Sequence, residues 1–157
     1  MPGSYQYMDA SVLLSYVLKE EDRFPTVGEL LRESERGDKR LVTSTVSIVE
    51  VARGAEDYKG DSLDPGAFVA IDTLWDGGSP VVLREASIDV MFKARDLQRR
   101  AHQTKKVQNL DSIHIATAMV LEAEVLYTYE KQSTREWWAE LSGIRVEEPQ
   151  VNQPPML

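Results

Sequence analysis

Cysteine is absent from this 157-residue chain, which excludes disulfides, thiolate metal sites and cysteine nucleophiles. Histidine is nearly absent, and His102 and His114 are too few to build a zinc site without carboxylate help. Acids or hydroxyls break every apolar run well short of a membrane span, and the first residues lack the basic region and apolar core of a leader. No P-loop or GxGxxG glycine pattern occurs, so nucleotide binding through either is not expected. Excess positive charge is missing too: 18 Lys and Arg against 26 Asp and Glu leave a net charge of −8. That balance argues against broad adhesion to nucleic acid, although a local basic strip is compatible with it. What is present, 42% apolar and 28% charged residues, predicts one soluble, cytoplasmic domain with a real core and no membrane contact. An acidic total serves solubility, and it also suits a chain that holds several carboxylates for divalent cations.

Residues Tyr5 to Met8 read as a short strand ending at Asp9, followed by the apolar-periodic Val12, Leu13, Tyr16 and Val17 of a helix. Thr26 is expected to cap a second helix, Val27 to Arg36, that stops at Gly37. The β-branched run from Arg40 to Thr45 predicts a strand that feeds a helix from Ser47 to Ala55. Asp64-Pro65 signals another helix start, with Gly77-Gly78 as its end and a strand from Pro80 to Arg84 after it. Ile88 to Arg100 reads as an amphipathic helix with Val90, Met91, Ala94 and Leu97 on its apolar side. Asp111 is expected to open the next helix, before a strand from Val125 to Thr128, helical turns from Glu136 to Leu141 and a last strand at Ile144-Arg-Val. Residues 1–149 are thus one expected domain, and 150–157, with Pro154-Pro155, a flexible tail.

Strands alternating with helices predict a parallel sheet with helices on both faces, and ligands bind at the carboxyl ends of such strands. Asp9 and Glu130 follow strands. Asp111 and Glu50 lie in the first turns of helices that can start at the same edge, so four acids from distant segments can converge there. Two like charges about 4 Å apart repel by roughly 4 kcal/mol at an effective dielectric near 20. Arg53 and Lys131 are the sole cationic residues near these motifs, so magnesium or manganese is the natural counter-charge. Each acid also has a plainer explanation. Asp9 can simply end a strand, Asp111 can serve the helix dipole, Glu50 can lie on a solvated stripe and Glu130 can be a surface turn residue.

Taken in order, Tyr-Met-Asp9-Ala-Ser-Val-Leu-Leu, Ser-Ile-Val-Glu50-Val-Ala-Arg, Leu-Asp111-Ser-Ile-His-Ile-Ala-Thr-Ala and Leu-Tyr-Thr128-Tyr-Glu130 resemble the PIN-domain ribonucleases. The size resembles that of the toxin components of VapBC-type toxin–antitoxin modules. The resemblance spans Tyr7 to about Leu141 and implies a three-layer α/β sandwich with a central, mainly parallel sheet. It also implies metal-dependent endonucleolytic cleavage of RNA with Mg2+ or Mn2+, leaving a 5′-phosphate and a 3′-hydroxyl. By the same resemblance Asp9, Glu50 and Asp111 would ligate metal, and Thr128 would orient a carboxylate or water. Glu130 stands where the family usually has aspartate, so its longer arm would bind through water or not at all. A cognate antitoxin protein and a homodimer are implied as partners, besides the RNA substrate.

Arg95, Arg99, Arg100, Lys105 and Lys106 crowd a segment whose one acid is Asp96, giving a local charge near +4 just upstream of Asp111. Arg99 and Arg100 are the first candidates for RNA backbone contacts, and a solvated helix end explains the strip equally well. His114, one turn after Asp111, is expected to pack within its helix rather than to touch RNA. A receiver domain would call for paired acids after the first strand and a lysine after the last. A dehalogenase-like phosphatase would call for Asp-x-Asp, and Ser11 occupies that third position. A PIN-like domain that has lost cleavage and acts as an RNA-binding or protein-interaction module is the serious alternative.

Overall fold

Short strands with apolar residues on both faces need cover on both sides, and this chain supplies it with helices between every consecutive pair of the described strands. The computed structural model describes residues 4–57 and 65–151. Their elements run β1 (Tyr5–Met8), α1 (Ala10–Val17), α2 (Phe24–Glu35), β2 (Arg40–Ser44), α3 (Val46–Asp57) and α4 (Pro65–Leu74). They continue with β3 (Val81–Arg84), α5 (Ile88–His102), α6 (Asn109–Val120), β4 (Val125–Tyr127), α7 (Gln132–Ser142) and β5 (Arg145–Glu147). The five strands form one sheet in the order β3-β2-β1-β4-β5, with every pairing parallel. Parallel neighbours cannot be joined by a tight turn, so each connection crosses a face of the sheet.

Alternation along the strands sorts the core into two layers. Tyr7, Val42, Leu126 and Val146 pack with Val90, Ala94 and Leu97 of α5, Ile115 and Ala116 of α6, and Trp138 and Leu141 of α7. Met8, Leu41, Val81, Val125 and Tyr127 pack with Leu13 of α1, Leu30 of α2, Val51 of α3 and Ile71 of α4. The result is the expected three-layer α/β sandwich, its sheet wholly parallel among the described strands. The chain begins in the middle of the sheet, moves outward through β2 and β3, then returns to build β4 and β5 on the other side. Strand order therefore reverses between β1 and β4. In open α/β sheets a crevice forms at such a point, beyond the carboxyl ends of the strands.

Several local expectations shift. Helix α2 begins at Phe24, because Pro25 in its first turn forfeits only an N–H that would have no helical partner; Arg23 is its N-cap and Thr26 lies inside it. Gln108 caps α6, which leaves Asp111 in the first turn rather than at the opening. The buried stripe of α5 is Val90, Ala94, Leu97 and Ala101, while Met91, a further 100° around the helix, is exposed. Helix α4 ends at Leu74, ahead of Gly77-Gly78, and α7 is longer than the expected Glu136 to Leu141. Asp64 and residues 152–157 lie outside the described residues. At the start of the expected tail, Gln150 hydrogen-bonds Glu147 and Val151 packs against the core.

Gly143 terminates α7 with φ 72°, a left-handed conformation that costs a residue with a Cβ about 1–2 kcal/mol. Gly77 has open space around it and no such φ. Urea denaturation should therefore show Gly143→Ala less stable than the parent by about 1 kcal/mol, and Gly77→Ala unchanged or more stable by up to about 1 kcal/mol. Equal losses at the two sites would contradict the conformational explanation.

Candidate active site

Asp9 follows β1 directly and is the N-cap of α1, with extended backbone (φ −80°, ψ 175°) that turns its side chain back over the helix start. Its Oδ1 accepts from the Val12 backbone N–H at 3.3 Å and from the Ser11 hydroxyl at 2.6 Å. Its Oδ2 accepts from the Thr128 hydroxyl at 2.5 Å, across 119 residues of sequence. Each hydroxyl is itself oriented by a backbone N–H beyond β4: Tyr129 donates to Ser11 Oγ and Glu130 to Thr128 Oγ1, both at 3.2 Å. With those lone pairs occupied, both hydroxyl protons point at Asp9. The carboxylate is buried, and burial pushes its pKa up from the ordinary value against the opposing influence of His114, Ser11, Thr128 and Val12.

Asp111, from the first turn of α6, faces the same region. Its pKa is raised from 3.8 to about 6, first by burial and then by the negative charges of Asp9 and Glu130, with Glu50 adding and His114 opposing. Burial is the larger cause, and the charges of Asp9, Glu130 and Glu50 still reach Asp111 through the poorly solvated edge. The four segments that carry them enter from β1, α3, α6 and the exit of β4.

Glu50 has a partner that its sequence neighbours do not reveal. Its Oε1 lies 2.5 Å from Nε2 of His114, and Nδ1 of that imidazole lies 2.6 Å from the Tyr7 hydroxyl. The Tyr7 oxygen in turn accepts from the Ser44 backbone N–H at 3.0 Å. Tyr7 and His114 are almost fully buried, and their rings meet edge to face with centroids 5.7 Å apart. Burial raises the Tyr7 hydroxyl well above its usual range, so it keeps its proton to donate. His114 does pack inside the protein, as its helix position suggested, and it also reaches the acidic edge. Sequence reasoning did not place Ser11 or Tyr7 at this site and missed the bond of His114 to Glu50; the local signal was Ser11, two residues after Asp9.

The donor set fits a hard divalent ion: carboxylate oxygens predominate, and the repulsion that raises Asp111 is what a cation relieves. Among the described residues, no three acids or imidazoles already stand around a common ligating point. Asp9 and Glu50 are held by hydrogen bonds, so ion binding would require Asp111 or Glu130 to move toward them. The basic strip is partly committed elsewhere. Arg95 pairs with Asp96 and lies over the Phe92 ring, and Arg100 donates to the Leu141 carbonyl at 3.0 Å. Arg99 is exposed on the last turn of α5. Among the described residues no helix is long and apolar enough to cross a membrane.

The PIN domain family model matches residues 7–136. The chain belongs to the PIN-domain family. No curated protein matches it. Among solved structures, this PIN domain is similar to VapC20 of Mycobacterium tuberculosis, a sarcin-ricin-loop-cleaving toxin. The identity is 15% and the TM-score 0.63, covering 82% of this chain and 92% of that one. It is also similar to VapBC2 of Rickettsia felis, solved bound to a DNA fragment from its promoter, with 13% identity, a TM-score of 0.69 and coverage of 92% and 98%. FitAcB of Neisseria gonorrhoeae gives 15% identity, a TM-score of 0.62 and coverage of 92% and 97%.

The repulsion within this PIN-domain edge has a measurable sign. The folded-state pKa of Asp111, about 6, lies above its ordinary 3.8, so the native state holds that proton more tightly than the unfolded chain does. The resulting stabilisation is complete below about pH 4 and is lost as pH rises through about 6. In metal-free buffer, Asp111→Asn should therefore be more stable than the parent at pH 7.5, by about 1 kcal/mol after allowing for screening of a partly exposed group. Urea denaturation at pH 4 should show the gain gone; an equal difference at both pH values would speak against the carboxylate's repulsion as its source.

Proposed function

We propose that this PIN-domain protein is a divalent-metal-dependent endoribonuclease of the VapC type, cleaving RNA phosphodiester bonds as the toxin of a toxin–antitoxin pair. The observation that supports this reading is that Asp111, at the edge where strand order reverses, feels the charges of Asp9, Glu130 and Glu50 in addition to burial. Magnesium or manganese, when bound, would supply Lewis acidity to a water and to the scissile phosphate. Asp9 presents a carboxylate whose direction Ser11 and Thr128 fix. Glu50 and Asp111 would complete the ligand set from two helices, and Glu130, one methylene longer than the aspartate usual in the family, would act at the rim. Thr128 holds Asp9 and is in turn held by the Glu130 N–H, so it serves orientation rather than proton transfer.

RNA would be steadied along its backbone by Arg99, the freer of the two α5 candidates, while Arg100 keeps its bond to Leu141. The likeness to VapBC2 supports a cognate antitoxin as protein partner. Homodimerisation, implied by the family, has apolar surface available in Ile88, Met91 and Phe92, exposed on α5. A cytoplasmic setting follows from the proposed RNA substrate. Glu130, together with the lack of a preformed ligating trio among the described residues, favours one second reading, a PIN-like module that binds RNA or protein without cutting.

Incubation of the purified chain with total cellular RNA, in manganese, magnesium or chelator, separates these readings. Discrete metal-dependent cuts bearing 5′-phosphates are expected, with Asp9→Asn and Asp111→Asn slower by about 100-fold or more, a loss of roughly 3 kcal/mol of transition-state stabilisation. Arg99→Ala should weaken RNA binding evenly across sequences and reduce the salt slope by about one. RNA bound but left intact under every metal condition would favour the non-cleaving module.

A further inference from the structure

Glu50 has a side chain with three rotatable bonds, and holding such a chain in one place costs rotamer entropy that a partner must offset. The structure provides that partner from behind. An ionised carboxylate has only acceptors, so the 2.5 Å contact between Glu50 Oε1 and His114 Nε2 requires the proton to be on Nε2. At the other end of the ring, the Tyr7 oxygen already accepts from Ser44 N–H and has its own proton free for His114 Nδ1. Held this way, a neutral imidazole is a single tautomer with Nε2–H aimed at Glu50, and an imidazolium aims the same N–H there. The chain of bonds begins at the end of β2, passes through β1 and α6, and ends on α3, so four elements set the direction of one carboxylate.

We infer that His114 is a positioning residue for Glu50: held by Tyr7 and Ser44 as the Nε2–H tautomer, it pins Oε1 and leaves Oε2 for a divalent cation. The role rests on the metal-dependent nuclease reading above, whereas the tautomer does not. His114 touches neither RNA nor the reacting phosphate in this scheme. It acts through Glu50, in the way that hydrogen-bond partners of ligating carboxylates orient metal sites generally. Glutamine at position 114 keeps a donor near the Nε2 position, whereas leucine keeps bulk and loses the donor.

The test has two arms on the full chain. In the first, long-range proton–nitrogen correlation spectra of the metal-free, 15N-labelled protein report the ring nitrogens directly, with His102→Gln assigning the signals. A single Nε2–H tautomer for His114, converted to a mixture in Tyr7→Phe, is expected; an Nδ1–H tautomer in the parent overturns the inference. In the second, manganese affinity is measured by electron paramagnetic resonance of the free ion. His114→Leu should bind about 10- to 100-fold more weakly than the parent, and His114→Gln should return to within about threefold. Thermal melts confirm that each variant is folded, and should leucine fail to fold, Tyr7→Phe takes its place with loss of affinity expected. Equal affinity in the parent and the folded donor-less variants overturns the positioning role while leaving the nuclease reading standing. A parent chain that binds no manganese overturns the nuclease reading itself, and the positioning role with it, whatever the tautomer.

Discussion

A carboxylate can leave water only where donors replace the water, and Asp9 is where that requirement extends furthest through this protein. Its donors come from the helix it caps, from Ser11 in that helix, and from Thr128 beyond the neighbouring strand. Thr128 could not reach it unless β1 lay beside β4, and the ladder between them continues one step further, with the Asp9 N–H on the Tyr127 carbonyl at 3.1 Å. The reversal of strand order is thus tied to the acid at its centre. An apolar residue at position 9 would have no use for the two hydroxyls now turned toward it.

The strand that delivers Asp9 also delivers Tyr7, two residues earlier, and the two residues serve different acids. Asp9 is held directly, while Tyr7 acts at a distance, through His114, on Glu50. Buried polar chains of this kind strengthen when every member is satisfied and become costly when one is missing. Asp111 has no such scaffold among the described residues and experiences mainly burial and repulsion, which is why its proton is held more tightly than usual. The edge therefore combines two fixed carboxylates with others whose position a cation would influence more.

Much of this was legible in the sequence, for definable reasons. Short apolar and β-branched runs mark β1, β2 and β3, because a strand covered on both faces is largely apolar throughout. Acids at strand exits and in first helical turns stand out because their spacing relative to the elements is local information. Met91 was misassigned because one helical position separates a buried face from an exposed one, and α2 began early because Pro25 outweighed Thr26 as a start signal. Tyr7 could not be read as polar machinery, since a tyrosine in an apolar strand looks like core and here it is core as well. His114 was hidden likewise: nothing near it in sequence announces Glu50, which is 64 residues away.

The bond between Thr128 and Asp9 also has a history, because a chain is made from one end. At roughly 5–20 residues per second, 119 residues take about 6–24 s to synthesise. Through that interval Asp9 is without its distant donor, and Asp111 itself is made only near its end. The acidic edge is consequently a property of chains extended past Glu130, and a shorter nascent segment carries carboxylates that are still solvated, separate and inert.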